Sequence, residues 1–216
     1  MKSTVNEQFV GFSGTTAAEN ADLIKIWMSE EFGWIVDGDN VYFDENQKVG
    51  FKFSASGATL YINPVNPFAQ GANAIGVAIQ TTCFLRYHVS AGKSVVYLSV
   101  NDTIGIVAAL DEKGNWYSIT SYNGATQSFQ FSTNKNVVNV IGYTPSVKAA
   151  DLHFSITKVP SFACGGSFSE LFFVVSAKDY NFTNQLVRFN EKTYRLVGLR
   201  TGTTVSYAFA FPVEED

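Results

Sequence analysis

Short runs in which apolar and polar residues alternate recur along most of this chain, and they constrain its fold more than any other feature. Clear examples are Val49 to Ser54 and Ser128 to Ser132. Such alternation places the apolar side chains on one face of a half-buried β-strand. Turn-forming pairs such as Asp37-Gly38 and Asn123-Gly124 separate the runs, at intervals of roughly 8–12 residues. This spacing is typical of antiparallel sandwiches and barrels rather than of βαβ units.

The C-terminal third follows the same rule, with one exception. Thr193 to Leu199 and Val205 to Phe211 are strand-like runs joined by a short loop that contains Gly202, so we predict a hairpin. Leu171 to Val175 is apolar throughout. Because a strand covered on both faces has this composition, we expect the segment in the centre of the core or in a subunit interface.

One segment, residues 17–32, has the periodicity of an amphipathic helix. It begins with the capping-box sequence Thr16-Ala17-Ala18-Glu19, and Gly33 stands where a glycine commonly ends a helix. The predicted apolar stripe contains Leu23, Ile24, Trp27, Met28 and Phe32. The predicted polar face contains Asp22, Lys25, Ser29 and Glu30. We expect the stripe to cover a face or an end of a sheet, or alternatively to dock into a neighbouring subunit.

Length and hydrophobic content favour one domain. The chain has 216 residues, of which 46% are hydrophobic, and this is enough for one substantial core. We therefore predict a mainly β protein, an antiparallel β-sandwich or barrel with one N-terminal amphipathic helix. Residues 1–33 would form an N-terminal arm and the helix, and residues 34–216 would form the antiparallel β body.

Charge and targeting signals exclude several classes of partner. Only 16% of residues are charged, the net charge is −4, and the basic residues are scattered singly. No basic stripe is therefore present to bind nucleic acid. Residues 1–8 lack the apolar stretch of a signal peptide, and no run approaches the ~20 apolar residues of a membrane span. With Cys83 and Cys164 as its two cysteines, the chain fits a reducing cytoplasm better than a disulfide framework.

No recognisable catalytic, cofactor or metal motif occurs. The two histidines, His88 and His153, have no spacing typical of metal ligands. Gly92-Lys93-Ser94 matches the end of a phosphate loop, but a strand-like run follows it where a helix would be needed. We therefore predict a protein that is not an enzyme and carries no cofactor. An enzyme would need acidic residues or histidines from separate strands to converge in a cleft.

Three aromatic residues, Trp116, Tyr117 and Tyr122, form the one candidate ligand or interface group. They lie near the amides of Asn115 and Asn123, an arrangement that would suit a glycan. Aromatic residues are also common in strands, where alternation turns some of them into the core. We favour packing in the core or in an interface, and keep glycan binding as the alternative.

Three C-terminal segments carry a family resemblance. They are Glu170 to Ser176, Val187 to Val197 and the strand that ends Ala208 to Pro212. This pattern resembles structural proteins encoded in phages and prophages of gut Firmicutes. The resemblance implies a virion component of the tail or baseplate, made in the bacterial cytoplasm, with no catalytic residues to carry over.

The composition is compatible with that implication. A chain with few charges and 15% aromatic residues suits an assembly built through lateral contacts and closed by symmetry. We expect a homo-oligomer that also contacts other virion proteins. The alternative is a carbohydrate-binding or receptor-binding β-sandwich module.

Overall fold

The alternating segments form strands of antiparallel sheets in a computed structural model of the chain. The structure describes residues 9–65, 75–78, 82–90, 92–101, 104–110, 114, 116–121, 128–132, 137–141, 147–148, 155–158, 173–177, 183–189, 191–199 and 206–213.

One helix and a series of short strands make up the described part of the chain. The first half contains β1 (Phe9–Phe12), α1 (Ala17–Phe32), β2 (Ile35–Asp37), β3 (Asn40–Asp44), β4 (Val49–Ser56), β5 (Thr59–Val65), β6 (Ile75–Ala78), β7 (Cys83–Val89), β8 (Val95–Val100) and β9 (Ile104–Leu110). The second half contains β10 (Trp116–Ser121), β11 (Ser128–Ser132), β12 (Val137–Ile141), β13 (Val147–Lys148), β14 (Ser155–Lys158), β15 (Phe173–Ala177), β16 (Thr183–Phe189), β17 (Lys192–Leu199) and β18 (Ser206–Pro212).

The strands are arranged in three sheets, and every pairing is antiparallel among the described strands. The seven-stranded sheet has the order β1-β7-β8-β9-β10-β11-β12. The five-stranded sheet has the order β2-β3-β4-β5-β6, and the six-stranded sheet has the order β13-β14-β15-β18-β17-β16. The prediction of a mainly β, antiparallel protein with one N-terminal helix is confirmed, and the described sheets are layered as in a sandwich and form no closed barrel.

The helix begins and ends where the sequence predicts. Thr16 is the N-cap, and its hydroxyl oxygen accepts a hydrogen bond from the Glu19 amide at 3.1 Å. The Glu19 carboxylate reaches one residue further back than in a standard capping box and accepts from the Thr15 amide at 2.6 Å. The Thr15 hydroxyl also donates to this carboxylate, and the two hydrogen bonds from Thr15 hold the pKa of Glu19 below its usual value, with the hydroxyl as the largest contributor. Gly33 ends the helix in the left-handed conformation, with φ 67°.

Removal of the N-cap hydroxyl is expected to destabilise the fold modestly. Thr16→Ala leaves the Glu19 amide without its acceptor, so we expect the free energy of unfolding to fall by about 1 kcal/mol. Urea denaturation followed by circular dichroism measures this loss. Ser13→Ala, which removes an exposed hydroxyl before the helix, is the matched control and should change the value by less than about 0.5 kcal/mol. Equal losses for the two variants would contradict the capping role.

The helix is rotated relative to the predicted stripe, so two of its predicted positions were wrong. Leu23 is 40% exposed, although the sequence pattern placed it in the core. Lys25 is only 8% exposed, although the pattern placed it on the polar face. The face that packs against the sheets is built from small residues as well as large ones: Ala17, Asn20, Ala21, Ile24, Trp27 and Met28. These small residues let the helix lie close to β4 and β5.

A first hydrophobic core joins the helix, the five-stranded sheet and one face of the seven-stranded sheet. Phe51, Phe53 and Leu60 contribute fully buried side chains from β4 and β5. Leu85 of β7 and Leu98 of β8 close the core from the seven-stranded sheet. The predicted N-terminal arm contains a strand, β1, which pairs with β7. This strand adds Val10 and Phe12 to the core.

The opposite face of the seven-stranded sheet meets the six-stranded sheet. All of β8 is buried, and because side chains alternate along a strand, Val95, Tyr97 and Ser99 point away from the first core. The ring of Tyr97 lies 5.5 Å from the ring of Phe211 in β18. Phe211 also stacks on His88 of β7 at 4.3 Å. The seven-stranded sheet is thus a middle layer, and β8 is covered on both faces.

Candidate functional site

Of the predicted aromatic group, the structure describes the side chain of Trp116. Trp116, in β10, is 3% exposed, and its ring packs against Phe43 at 5.1 Å. Its indole N–H donates to the Asp44 carboxylate at 3.3 Å, which ties the seven-stranded sheet to the five-stranded sheet. Trp116 therefore packs in the core and has no open ring face for a glycan. Tyr117 lies in β10, its side chain is not described, and Tyr122 lies outside the described residues.

Cys83 is a free, buried thiol at the start of β7. Burial raises its pKa to about 11, so the thiol is protonated at neutral pH and is a poor nucleophile. Cys164 lies outside the described residues, as does His153.

The described residues contain neither a cluster of metal-ligating side chains nor a membrane-spanning helix. No three His, Cys, Asp or Glu side chains among them come together as metal ligands. Within the same residues, no helix has both the length and the apolar character needed to cross a membrane.

Exposed large apolar side chains form the candidate site. In the described part of the chain, most of them lie on edge strands. Ile35 and Val36 belong to β2, the edge of the five-stranded sheet. Leu186 belongs to β16, the edge of the six-stranded sheet. The other two, Leu23 and Ile26, lie on the outer side of the helix. Exposed apolar strands at a sheet edge are what a neighbouring chain would cover.

Strand β2 exposes apolar groups on both faces. Ile35 and Val36 are consecutive and so point to opposite faces of the sheet, yet each is 41% exposed. The strand pairs only with β3 among the described strands, so its outer edge is open. Asp37 is the single charge on the strand that could discourage edge pairing.

A buried lysine fixes the position of this edge strand. The Lys25 ammonium group donates to the Gly38 carbonyl at 3.2 Å, in the turn that follows β2. It also forms ion pairs with Asp22 at 2.9 Å and with Asp39 at 3.7 Å. These oxygens offset the cost of burying the charge. Through Lys25, the β2–β3 turn is held against the helix.

Aromatic packing fixes the other end of β2. Trp34 directly precedes the strand and is buried, with its ring 4.7 Å from Phe32 and 5.5 Å from Phe43. The strand is therefore held at both ends while its own side chains remain exposed. A preorganised strand loses less conformational entropy when a second strand pairs with it.

Among the described strands, β1 is a second edge with no outer partner, and it lies beside a groove. The groove has a volume of about 600 Å³ and is lined by Phe9, Gly11, Phe12, Ser13, Thr82, Cys83, Phe84 and Asn101. The rings of Phe9 and Phe84 lie 5.1 Å apart, and the Arg86 guanidinium lies over both of them. This edge combines an aromatic surface with strand backbone that no other described strand pairs with.

Sequence reasoning missed both edges. In an alternating pattern, one residue of the pair Ile35-Val36 is expected to be buried, so the pattern gives no sign that both are exposed. The strand at residues 9–12 is too short for periodicity to reveal it, and its partner β7 lies more than 70 residues further along the chain.

Comparison with known protein families, with curated proteins and with solved structures found no match to this chain.

Proposed function

We propose that this chain is a non-enzymatic structural subunit that assembles into a phage or phage-like particle through contacts between sheet edges. The observation that carries the proposal is the position of Ile35 and Val36, which are exposed on both faces of the open edge strand β2. A long-lived monomer that exposes this surface would be prone to aggregate, whereas a neighbouring subunit would bury it.

The edges are suited to repeated assembly. As far as their strands are described, the three sheets are open, so each has edge strands at which a further strand could pair. Contacts between unlike edges, such as β2 of one copy with β16 of the next, would be head-to-tail and would generate rings or filaments. The class of particle rests on the resemblance of residues 170–212 to virion structural proteins.

The oligomeric state of the purified chain tests the proposal. We expect light scattering after size exclusion to give a mass well above the 23.7 kDa of one chain, with rings or tubes in negative-stain images. Ile35→Lys and Val36→Lys should each shift the population to smaller species, because a charge at the edge opposes pairing. Both side chains are exposed, so the free energy of unfolding should change by less than about 0.5 kcal/mol.

Ile26→Lys is the matched control, since it places the same charge at an exposed isoleucine of the helix rather than of an edge strand. Assembly that survives Ile26→Lys and is lost in both edge variants supports the proposal. A wild-type chain that stays monomeric, or assembly that is equally resistant to all three substitutions, contradicts it.

The glycan-binding alternative has less support. Trp116, the largest ring of the predicted group, is buried against Phe43 and supplies no open surface. The alternative would have to use Tyr117 and Tyr122 without Trp116. Glycan binding that persists in a Tyr117→Ala/Tyr122→Ala variant would exclude these rings as the site, and a wild-type chain that binds no glycan would exclude the alternative.

A further inference from the structure

We infer that β1 is the contact through which two copies of this chain pair, edge to edge about a two-fold axis, so that their seven-stranded sheets become continuous. This inference rests on the proposed assembly function and names one of its contacts. It is carried by the backbone at Phe9 and Gly11, by the open space above Gly11 and by the uncharged groove beside the strand.

The backbone groups at the free edge of β1 can be assigned from its neighbour. In β7, the Phe84 carbonyl accepts from the Asn101 amide at 3.0 Å, and the Phe84 amide donates to the Asn101 side chain at 3.0 Å. Phe84 therefore directs its backbone toward β8. Since direction alternates along a strand, Cys83 and Leu85 direct theirs toward β1, where they pair with Phe12 and Val10.

The remaining β1 residues face outward. Phe9 and Gly11 have their N–H and C=O groups at the open edge, because Val10 and Phe12 use theirs toward β7. When two such edges meet antiparallel, with the two-fold axis at Val10, Phe9 of each copy lies opposite Gly11 of the other. Each opposed pair can exchange two N–H···O=C hydrogen bonds.

Gly11 makes this register sterically suitable. A Cβ atom built at Gly11 would meet nothing within 4 Å, so the space above the residue is open. Phe9, Gly11, Phe84 and Arg86 share one face of the sheet by their register. The exposed part of the Phe9 ring would lie above the second copy's Gly11 and against its Phe84. Aromatic rings that cover a cross-strand glycine are a known stabilising device in sheets.

The charges around β1 permit the contact. The residues that line the groove carry no charge at neutral pH, and the pKa of Cys83 is raised to about 11. Arg86 lies on β7, behind β1, so the two arginines of a pair would be three strand spacings apart and offset by two residues along the strands, a separation of about 16 Å. At this separation their repulsion is largely screened at physiological salt.

Substitution of Gly11 tests the inference. Gly11→Val fills the space that the second copy's Phe9 would occupy, and the monomer tolerates it because valine suits strands and the site is open. We expect the dissociation constant of the dimer, measured by sedimentation velocity over a concentration series, to rise about tenfold or more. Phe9→Ala should act in the same direction. Gly92→Val, at another glycine with open space, is the control and should leave the constant unchanged.

The outcomes separate this inference from the proposed function. Association that is weakened in Gly11→Val and Phe9→Ala but not in Gly92→Val supports the β1 contact. Wild-type association that Gly11→Val leaves unchanged overturns the β1 contact and leaves the assembly function standing. A dimer that depends on Gly11 but forms no ordered particle supports the contact and overturns the assembly function. A wild-type chain that is monomeric at every concentration overturns both.

Discussion

Gly50→Ala is expected to be among the most damaging single substitutions in the described part of the chain. Gly50 is buried in β4, opposite Tyr42 of β3. A Cβ atom at Gly50 would overlap the Val41 carbonyl oxygen and would lie 2.8 Å from the Tyr42 Cα. Both obstacles are backbone atoms, so no side-chain rotation can relieve them. We expect the free energy of unfolding to fall by about 3–4 kcal/mol, a large part of the total for a domain.

The close approach has a local cause. The register between β3 and β4 shifts between Tyr42 and Asp44, which is the signature of a bulge. A glycine in a strand interior often marks a place where a neighbouring backbone comes close. Because β3 follows β2 directly, separation of β3 from β4 would also displace the exposed edge strand.

Urea denaturation of Gly50→Ala and of Gly92→Ala provides the comparison. Gly92 is an exposed turn residue with an open Cβ position, so its alanine variant should differ from the wild type by less than about 0.5 kcal/mol. Similar unfolding midpoints for Gly50→Ala and the wild type would contradict the close approach of the β3 backbone to Gly50.

The helix shows what local sequence patterns could and could not predict. Its bounds follow from Thr16 and Gly33, because capping is a property of a few neighbouring residues. The face it buries depends on distant partners. Lys25 is buried because Asp39 and the Gly38 carbonyl lie in a turn that folds back onto the helix, and periodicity contains no information about that turn.

In the sheets, too, local features were predictable and long-range features were not. Alternation predicted strands such as β4 and β11, and the turn at Gly38 lies between β2 and β3 as predicted. The order of strands could not be predicted, because many alternating segments are equivalent as pairing partners. Pairing of β1 with β7 and of β15 with β18 brings together strands that are distant in the chain. The position of the seven-stranded sheet as the middle layer depends on these long-range pairings and so could not be predicted either.

The candidate site was the least predictable part. Its residues are ordinary aliphatic and aromatic side chains, and no special chemistry marks them in the sequence. Ile35 becomes significant only because β2 is the last strand of its sheet. Trp116 is excluded as an open ring for a glycan because it is buried. The sequence could not predict this burial, because alternation does not show which face of β10 is covered. Both facts depend on the order of strands, which is a tertiary property.

Acid is expected to destabilise the contact between the seven-stranded and six-stranded sheets through His88. The imidazole stacks on Phe211 with an interplanar angle of 8° and lies near Arg195 of β17. Burial lowers the pKa of His88 to about 4, and the positive charge of Arg195 contributes in the same direction. Protonation would place a charge between two packed layers, next to a second positive charge.

The sign of the pH dependence follows from linkage. The pKa in the folded state, about 4, is below the ordinary value of 6.5, so the unfolded chain binds more protons between these two pH values. The contribution of His88 to stability is fully present above pH 6.5 and is lost as the pH falls toward 4. At about 1.4 kcal/mol for each pKa unit, the full difference corresponds to at most about 3.5 kcal/mol, of which about 3 kcal/mol is lost by pH 4.

Denaturation of the wild type and of His88→Phe at pH 7, 5.5 and 4 isolates this effect from that of the carboxylates. Phenylalanine keeps a flat ring against Phe211 but cannot be protonated, so the gap between the two proteins should change by up to about 3 kcal/mol across the range. Arg195→Met should retain part of the wild-type slope, because burial, the larger cause of the lowered pKa, remains. Parallel curves for the wild type and His88→Phe would show that His88 titrates normally. In that case the imidazole would have to reach solvent, and the stacking on Phe211 could not be the resting arrangement of the two layers.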